Sequence, residues 1–358
     1  MEPFYSPTKS YEENYDEGPF GAFADGQVHN EHGEPASEFC GFPVYTPFGI
    51  PAGPLLNSKY VRGAFNNGFD IAVYKTVRSD TYPCHPFPNV LAVHPGEKLT
   101  LERARSQPLV ADTNYDTPVS ITNSFGVPSK MAVEWQADFK KADAYAKKGQ
   151  VAVLSFMGTV REGQTQDEFI DDYVKAGTLA NATGAKVLEM NLSCPNIGNE
   201  GLVCYNLDVT KEICARLRPA IGATPLILKV GYYEDDAALE RLAQIAEGFA
   251  DGIAAINTLQ ATIVDEKGEQ ALPGKNRSRS GVCGASIKWA GLEMTEKLNA
   301  IRKREGMHWT LIGVGGVTTP SDYFEYRAAG ADVVMSATGA MWNPHLAIDI
   351  KKEEDTTH

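Results

Sequence analysis

Several things are missing from this 358-residue chain, and each absence removes a class of function. Its six cysteines, at 40, 84, 194, 204, 214 and 283, include no Cys-x-x-Cys pair. That disfavours zinc and iron–sulfur sites and reads as free thiols in a reducing cytoplasm. The seven histidines show no metal-ligand spacing, so no metal is expected, and His85 and His94 read as solvated loop residues. Positive charge is scarce, with 33 Lys and Arg against 46 Asp and Glu for a net charge of −13. Nucleic acid and anionic membrane are therefore not expected as partners. No apolar run of about 18 residues occurs, so no transmembrane helix is expected. Residues 1–38 carry Glu, Asp, Lys, Pro and Gly where a signal peptide needs an apolar centre. Neither Gly-x-Gly-x-x-Gly nor Gly-x-x-x-x-Gly-Lys-Ser/Thr is present, which leaves the Rossmann and P-loop readings without support.

What is present is a regular alternation. Residues 1–38 form a polar, turn-rich extension, expected to pack on the surface or on a neighbouring subunit. Strand-like apolar runs then occur at 48–52, 70–76, 151–156, 185–192, 225–230, 252–257, 310–315 and 331–337. Helical patterns lie between them at 58–67, 130–147, 167–182, 208–218, 234–249, 287–304 and 320–329, with a further candidate at 343–351. Strict alternation implies parallel strands with helical crossovers, and eight units close an α/β (β/α)8 TIM barrel. The expected layout is an extension over 1–38, a barrel over 39–351 and a polar tail over 352–358. Two long inserts interrupt it, 77–129 after the second strand and 258–286 after the sixth. Both follow carboxyl ends of strands, where such barrels place their chemistry.

The strand ends share a chemical theme. Asn191-Leu192-Ser193-Cys194-Pro195-Asn196 puts carboxamides, a hydroxyl and a thiol at one strand mouth. Carboxamides donate and accept, as recognition of an imide or flavin ring requires, and a thiolate can act as a base. A strand-end turn with an incidental buried cysteine is the bland alternative. Lys75-Thr76 and Lys229 end two other strands, and lysine is rarely buried without a partner. Glu189, or an anionic ligand, would fill that place. Gly313-Val314-Gly315-Gly316 and Ser336-Ala337-Thr338-Gly339 offer two donor-rich turns after strands seven and eight, where phosphate is commonly held. Asn123-Ser124-Phe125-Gly126-Val127-Pro128 supplies another carboxamide and an aromatic wall, while Ser129 reads as a helix N-cap.

On these motifs the chain resembles the dihydroorotate dehydrogenase family of flavin mononucleotide (FMN) barrels, over roughly residues 42–345. Asn257-Thr258 and Ser280-Gly281-Val282-Cys283-Gly284-Ala285 complete the set, in the family's order. The resemblance implies oxidation of dihydroorotate to orotate in pyrimidine synthesis, with Cys194 as base and Lys75 in the catalytic group. It implies an FMN site at Ala52, Gly53, Lys75, Thr76, Asn191, Lys229, Ile256, Gly281, Gly315, Gly316, Ala337 and Thr338. Substrate would meet Lys75, Asn123, Ser124, Phe125, Gly126, Val127, Asn191, Asn196, Asn257 and Thr258. Lys229 would face the flavin pyrimidine edge. The electron acceptor would be fumarate, another soluble molecule or a partner subunit, and a homodimer is the expected assembly. Ala337, Phe125 and Ser129 depart from the residues usual in the family. Alternatives are a related FMN-dependent dehydrogenase of uracil-type dihydropyrimidines, or a flavin-binding protein without turnover.

Overall fold

The computed structural model describes residues 2–193, 202–275 and 277–357. Eight strands, Phe48–Ile50, Ile71–Val77, Val151–Phe156, Val187–Asn191, Leu226–Val230, Gly252–Ala255, Thr310–Val314 and Val333–Met335, form a closed barrel. Every neighbouring pair is parallel, and the last strand closes on the first through Met335 and Gly49. The expected TIM barrel is therefore the observed fold, with strand limits within two residues or so of those read from the sequence. Helices at Ser58–Asn66, Ala132–Ala144, Gln166–Asn181, Leu207–Ile221, Asp236–Phe249, Lys288–Glu305 and Pro320–Ala329 cross between strands. Two starts are fixed locally by capping boxes, Thr165 with Glu168 and Thr319 with Asp322.

The period of two along each strand sorts the side chains. Ile71, Val73, Val151, Val153, Val187, Ile227, Ala254 and Ile312 share one cluster inside the barrel with Phe39 and Val44 of the short hairpin at its foot. Their neighbours Ala72, Tyr74, Ala152, Leu154, Leu188 and Leu228 join the larger core outside, against the helices. Continuing the inward parity towards the carboxyl ends gives Lys75, Ser155, Glu189, Asn191 and Lys229. The barrel is thus apolar at its foot and polar at its mouth.

The two inserts do not remain separate. Val90–Val93, Leu109–Asp112 and Ser120–Asn123 from the first join Leu259–Val264 and Arg279–Gly284 from the second in one closed five-stranded sheet. Asn123 pairs with both Val90 and Gly281 there. Ser129 does not cap the following helix, which begins at Ala132 behind Met131 without a side-chain cap. Its hydroxyl instead accepts the Arg78 N–H at 3.1 Å and donates to Lys130 O at 3.0 Å.

The N-terminal extension adds aromatic rings to the core. Phe4 is fully buried and stacks on Phe23 at 4.1 Å, while Tyr5 and Tyr11 meet Phe125 edge-on. Each such ring contributes about 1.5–3 kcal/mol by leaving water. At the other end of the chain, Leu346–Thr357 is one helix, so residues 352–357 continue it and do not form a separate tail.

Extension, barrel foot and last helix are tied at Asp70. Its Oδ2 accepts from Thr46 N at 2.7 Å and Lys351 Nζ at 2.8 Å, and Lys351 also reaches Glu31. Complete burial raises the Asp70 carboxyl from 3.8 to about 6, against the opposing pull of Lys351 and the Thr46 N–H. Between those values the folded chain holds a proton that the unfolded chain has released, so stability falls as pH rises through the window. Urea unfolding from pH 4 to 7 should show the parent losing roughly 3 kcal/mol relative to Asp70→Asn. A difference that is flat or widens in the parent's favour refutes this.

Candidate active site

Two cavities meet at the carboxyl end of the barrel. The inner one has about 900 Å³ of free space, its open mouth included, which is of cofactor size. Ala52, Gly53, Ile256 and Val314 give it largely apolar walls, and Gly315, Gly316, Ala337, Thr338 and Gly339 line its far end. Gly315 has φ of +133° and Gly316 +68°, so the first donor-rich turn uses backbone shapes that side-chain-bearing residues rarely adopt. The outer cavity is lined by Ser124, Gly126, Val127, Asn191, Ser193, Ser280 and Gly281. Lys75, Asn123, Phe125, Asn257 and Thr258 belong to both walls.

Lys229 lines the inner cavity and is buried. Burial lowers its pKa, an effect that the charge of Glu189 opposes. Glu189 is fully buried, neither of its oxygens has a partner at hydrogen-bond geometry among the described residues, and burial raises its pKa against the opposing effects of Lys229 and the neighbouring Ser155 hydroxyl. The lysine–glutamate pairing expected from the sequence is therefore electrostatic and not a hydrogen-bonded bridge. Lys75 has no carboxylate beside it among the described residues. Its Nζ lies 5.6 Å from the centre of the Phe125 ring, and burial lowers its pKa to about 8.

The outer cavity collects positive charge. Arg78, Arg277 and Arg279 line it together with Lys75, and no described residue of its wall is Asp or Glu. Arg78 and Arg277 are both buried, so each charge is felt through poorly screening surroundings. Arg78 donates to Gly126 O at 3.0 Å, Val127 O at 2.9 Å, Gly158 O at 2.9 Å and Thr159 Oγ1 at 3.1 Å. Those bonds hold a strained turn. Val127 has φ of +53°, an outlier for a β-branched residue that costs on the order of 1–3 kcal/mol unless the surroundings dictate it.

Four expected site residues sit elsewhere or outside the described residues. Thr76 lines neither cavity; its hydroxyl pairs with Ser155 Oγ at 2.9 Å and receives Asn191 Nδ2 at 3.5 Å, which makes it a support for Asn191. Gly281 lines the outer cavity and not the inner, and a Cβ there would lie 2.2 Å from Thr258 Oγ1. Cys194 and Asn196 lie outside the described residues. Others were missed. Tyr5 of the extension lines the inner cavity, as does Cys283, whose Sγ accepts from Asn123 Nδ2 and Thr338 Oγ1 at 3.4 Å each. His85, read from the sequence as solvated, lines the outer cavity with Arg78 and Arg277.

The arrangement suits a flat, hydrogen-bonding, anionic molecule held against a second ring system deeper in the barrel. The description of the dihydroorotate dehydrogenase family matches residues 99–355. A dihydroorotate dehydrogenase of Dictyostelium discoideum is 37% identical, over 97% of this chain and 96% of that protein. The dihydroorotate dehydrogenase A (fumarate) of Lactobacillus helveticus is 32% identical over 46% of this chain and 51% of its own length. The catalytic subunit of dihydroorotate dehydrogenase B (NAD(+)) of Thermodesulfovibrio yellowstonii is 28% identical over 66% and 72%. This chain belongs to the dihydroorotate dehydrogenase family.

Proposed function

We propose that the inner cavity holds FMN, that the outer cavity holds dihydroorotate, and that Cys194 is the base for its oxidation to orotate. The observation that carries this reading is the shared wall of Lys75, Asn123, Phe125, Asn257 and Thr258, which would set one planar ligand against another. The fit to FMN rests on the inner cavity itself. Apolar walls suit an isoalloxazine ring, and the backbone at Gly315, Gly316, Ala337 and Thr338 suits a phosphate. Lys229 is a buried cation without a hydrogen-bond acceptor among the described residues, suited to negative charge at the ring's edge.

When bound, FMN would supply the acceptor for the hydride that leaves C6 of dihydroorotate. Asn123, Asn191, Asn196 and Asn257 would bind the amide and imide groups of the pyrimidine, donating to its oxygens and accepting from its N–H groups. Lys75 and the arginines of the outer cavity would draw and orient the carboxylate. Cys194 as thiolate would take the proton from C5, so that one proton and one hydride leave and a C5–C6 double bond forms. Phe125, wedged between Lys75 and the rings of Tyr5 and Tyr11, would keep water from that face. Reoxidation would fall to fumarate, another soluble acceptor or a partner subunit. Among the described residues no helix is long and apolar enough to cross a membrane. The cationic outer cavity favours a ring bearing a carboxylate over uracil-type dihydropyrimidines.

Protein supplied with FMN should turn yellow and retain the colour through gel filtration. Dihydroorotate should then bleach it without oxygen, and dihydrouracil should not. Failure to take up FMN, or bleaching by dihydrouracil alone, would sink the reading.

Cys194→Ser should keep FMN and orotate yet slow anaerobic bleaching by about 10²–10⁴, the usual loss when a positioned base is removed. Serine ionises far less readily than a thiol, so the residual rate should climb with pH. Stopped-flow traces in which both proteins reduce equally fast would remove Cys194 from the role.

A third expectation concerns Lys75. With its pKa lowered to about 8, it is a cation below that pH and neutral above it. Orotate affinity should weaken above pH 8, by up to about tenfold per pH unit. Lys75→Met should bind weakly with a flatter profile. Calorimetric titrations from pH 6 to 10 provide the check, and an equally steep fall in the variant would assign the pH dependence to another group.

A further inference from the structure

The proton arrangement around Ser124 determines what His85 offers to the outer cavity. The backbone N–H of His85 donates to Phe125 O at 3.0 Å, which brings the ring beside the 123–127 segment. Ring Nδ1 lies 3.2 Å from Ser124 Oγ. The same oxygen lies 3.0 Å from Arg277 Nε, and a guanidinium nitrogen can only donate. Ser124 Oγ therefore accepts from Arg277. Its own proton has one acceptor among the described residues, His85 Nδ1. A neutral imidazole whose Nδ1 takes that proton carries its own on Nε2.

Arg277 is well fixed for this task. Its other donors end on the carbonyls of Pro86, Pro88, Pro273 and Ser124, so the guanidinium has no spare orientation. Burial and the nearby charges of Arg277 and Arg78 lower the pKa of His85, which favours the neutral ring. Nε2 makes no hydrogen bond to a described residue, and the ring lines the outer cavity against Gly126. A Cβ at 126 would come within 2.5 Å of Nε2, so glycine at this position leaves the N–H its space.

We propose that His85, held as the Nε2–H tautomer by Ser124 and Arg277, donates a hydrogen bond to the substrate carboxylate and sets selectivity for the acid over neutral analogues. The assignment rests on dihydroorotate being the substrate. Cations alone attract any anion, whereas a fixed N–H at this end rewards an oxygen placed beside Gly126. Ser124 and Arg277 act through His85 and are positioning residues; His85 itself touches the ligand.

The test measures binding of orotate and of methyl orotate to the FMN-loaded parent, His85→Asn and His85→Gln by calorimetry. The asparagine amide reaches only the Nδ1 position and can still serve Ser124, while the glutamine amide reaches the Nε2 position and can donate there. His85→Asn should lose about tenfold to a hundredfold for orotate with methyl orotate moving no more than about twofold, as expected for one hydrogen bond to a charged acceptor. His85→Gln should recover most of the loss. A general disturbance of the 123–127 segment would weaken both ligands together, and that result overturns the assignment, as does unchanged orotate affinity in His85→Asn or no recovery in His85→Gln. Absence of orotate binding by the parent would overturn the proposed function itself.

Discussion

Lys75, Lys229, Arg78 and Arg277 are all held out of water at one end of the barrel, and much of the surrounding structure answers to that fact. Removing a cation from water costs several kcal/mol unless other groups replace its hydration. The two arginines meet this with fixed hydrogen bonds to carbonyls and hydroxyls, for which the planar fork of five donors is suited. The lysines do not. Among the described residues Lys229 has Glu189 as its electrostatic partner, and Lys75 has the face of Phe125. Both pKa values are lowered, the direction expected when burial dominates. An anion in contact with these groups gains most where water competes least.

Keeping the cations dry requires a cover, and the inserts provide it. A (β/α)8 barrel leaves its carboxyl end open to loops, and short loops could not enclose two adjoining cavities. Here both long inserts combine into a five-stranded sheet, so the cover is held by backbone hydrogen bonds across distant stretches of chain. Asn123 ends one of its strands, Thr258 immediately precedes another and Gly281 lies within a third. The placing of these groups is therefore set by strand register, which allows less freedom than a loop. Tyr5 and Tyr11 brace Phe125 from behind, so the extension shares in shaping the site.

The sequence made the barrel legible because parallel strands buried on both faces appear as short apolar runs between amphipathic helices. The same logic exposed Lys75, Asn191 and Lys229, whose polar groups interrupt such runs at their ends. The cover was not legible. Val90–Val93 and Ser120–Asn123 are four residues each, set among prolines, and Ser120–Asn123 also pairs with Arg279–Gly284 of the other insert, more than 150 residues away. No local period reports that pairing. Arg78 and Arg277 escaped for a related reason, since a buried arginine satisfied by carbonyls has the same local sequence as a solvated one. His85 was misjudged because its loop folds inward, where its N–H donates to Phe125 O and its ring meets Ser124 Oγ.

Val127 sits where these constraints meet. A valine at positive φ is not chosen by its own preferences, so some external restraint must exceed the cost of that conformation. Arg78 supplies one on the carbonyl side, bonding Gly126 O and Val127 O from the same guanidinium. Arg277 supplies another upstream, bonding the Ser124 carbonyl and hydroxyl together. The segment between them is thus gripped at both ends by charged groups that also set the potential of the cavity. Replacing either arginine with a neutral residue would alter shape and charge at once. Arg78 makes four hydrogen bonds from a fixed planar fork, one more than the three N–H donors of lysine could supply. The geometry therefore requires arginine in particular, and the same residues that hold the turn make it attractive to an anion.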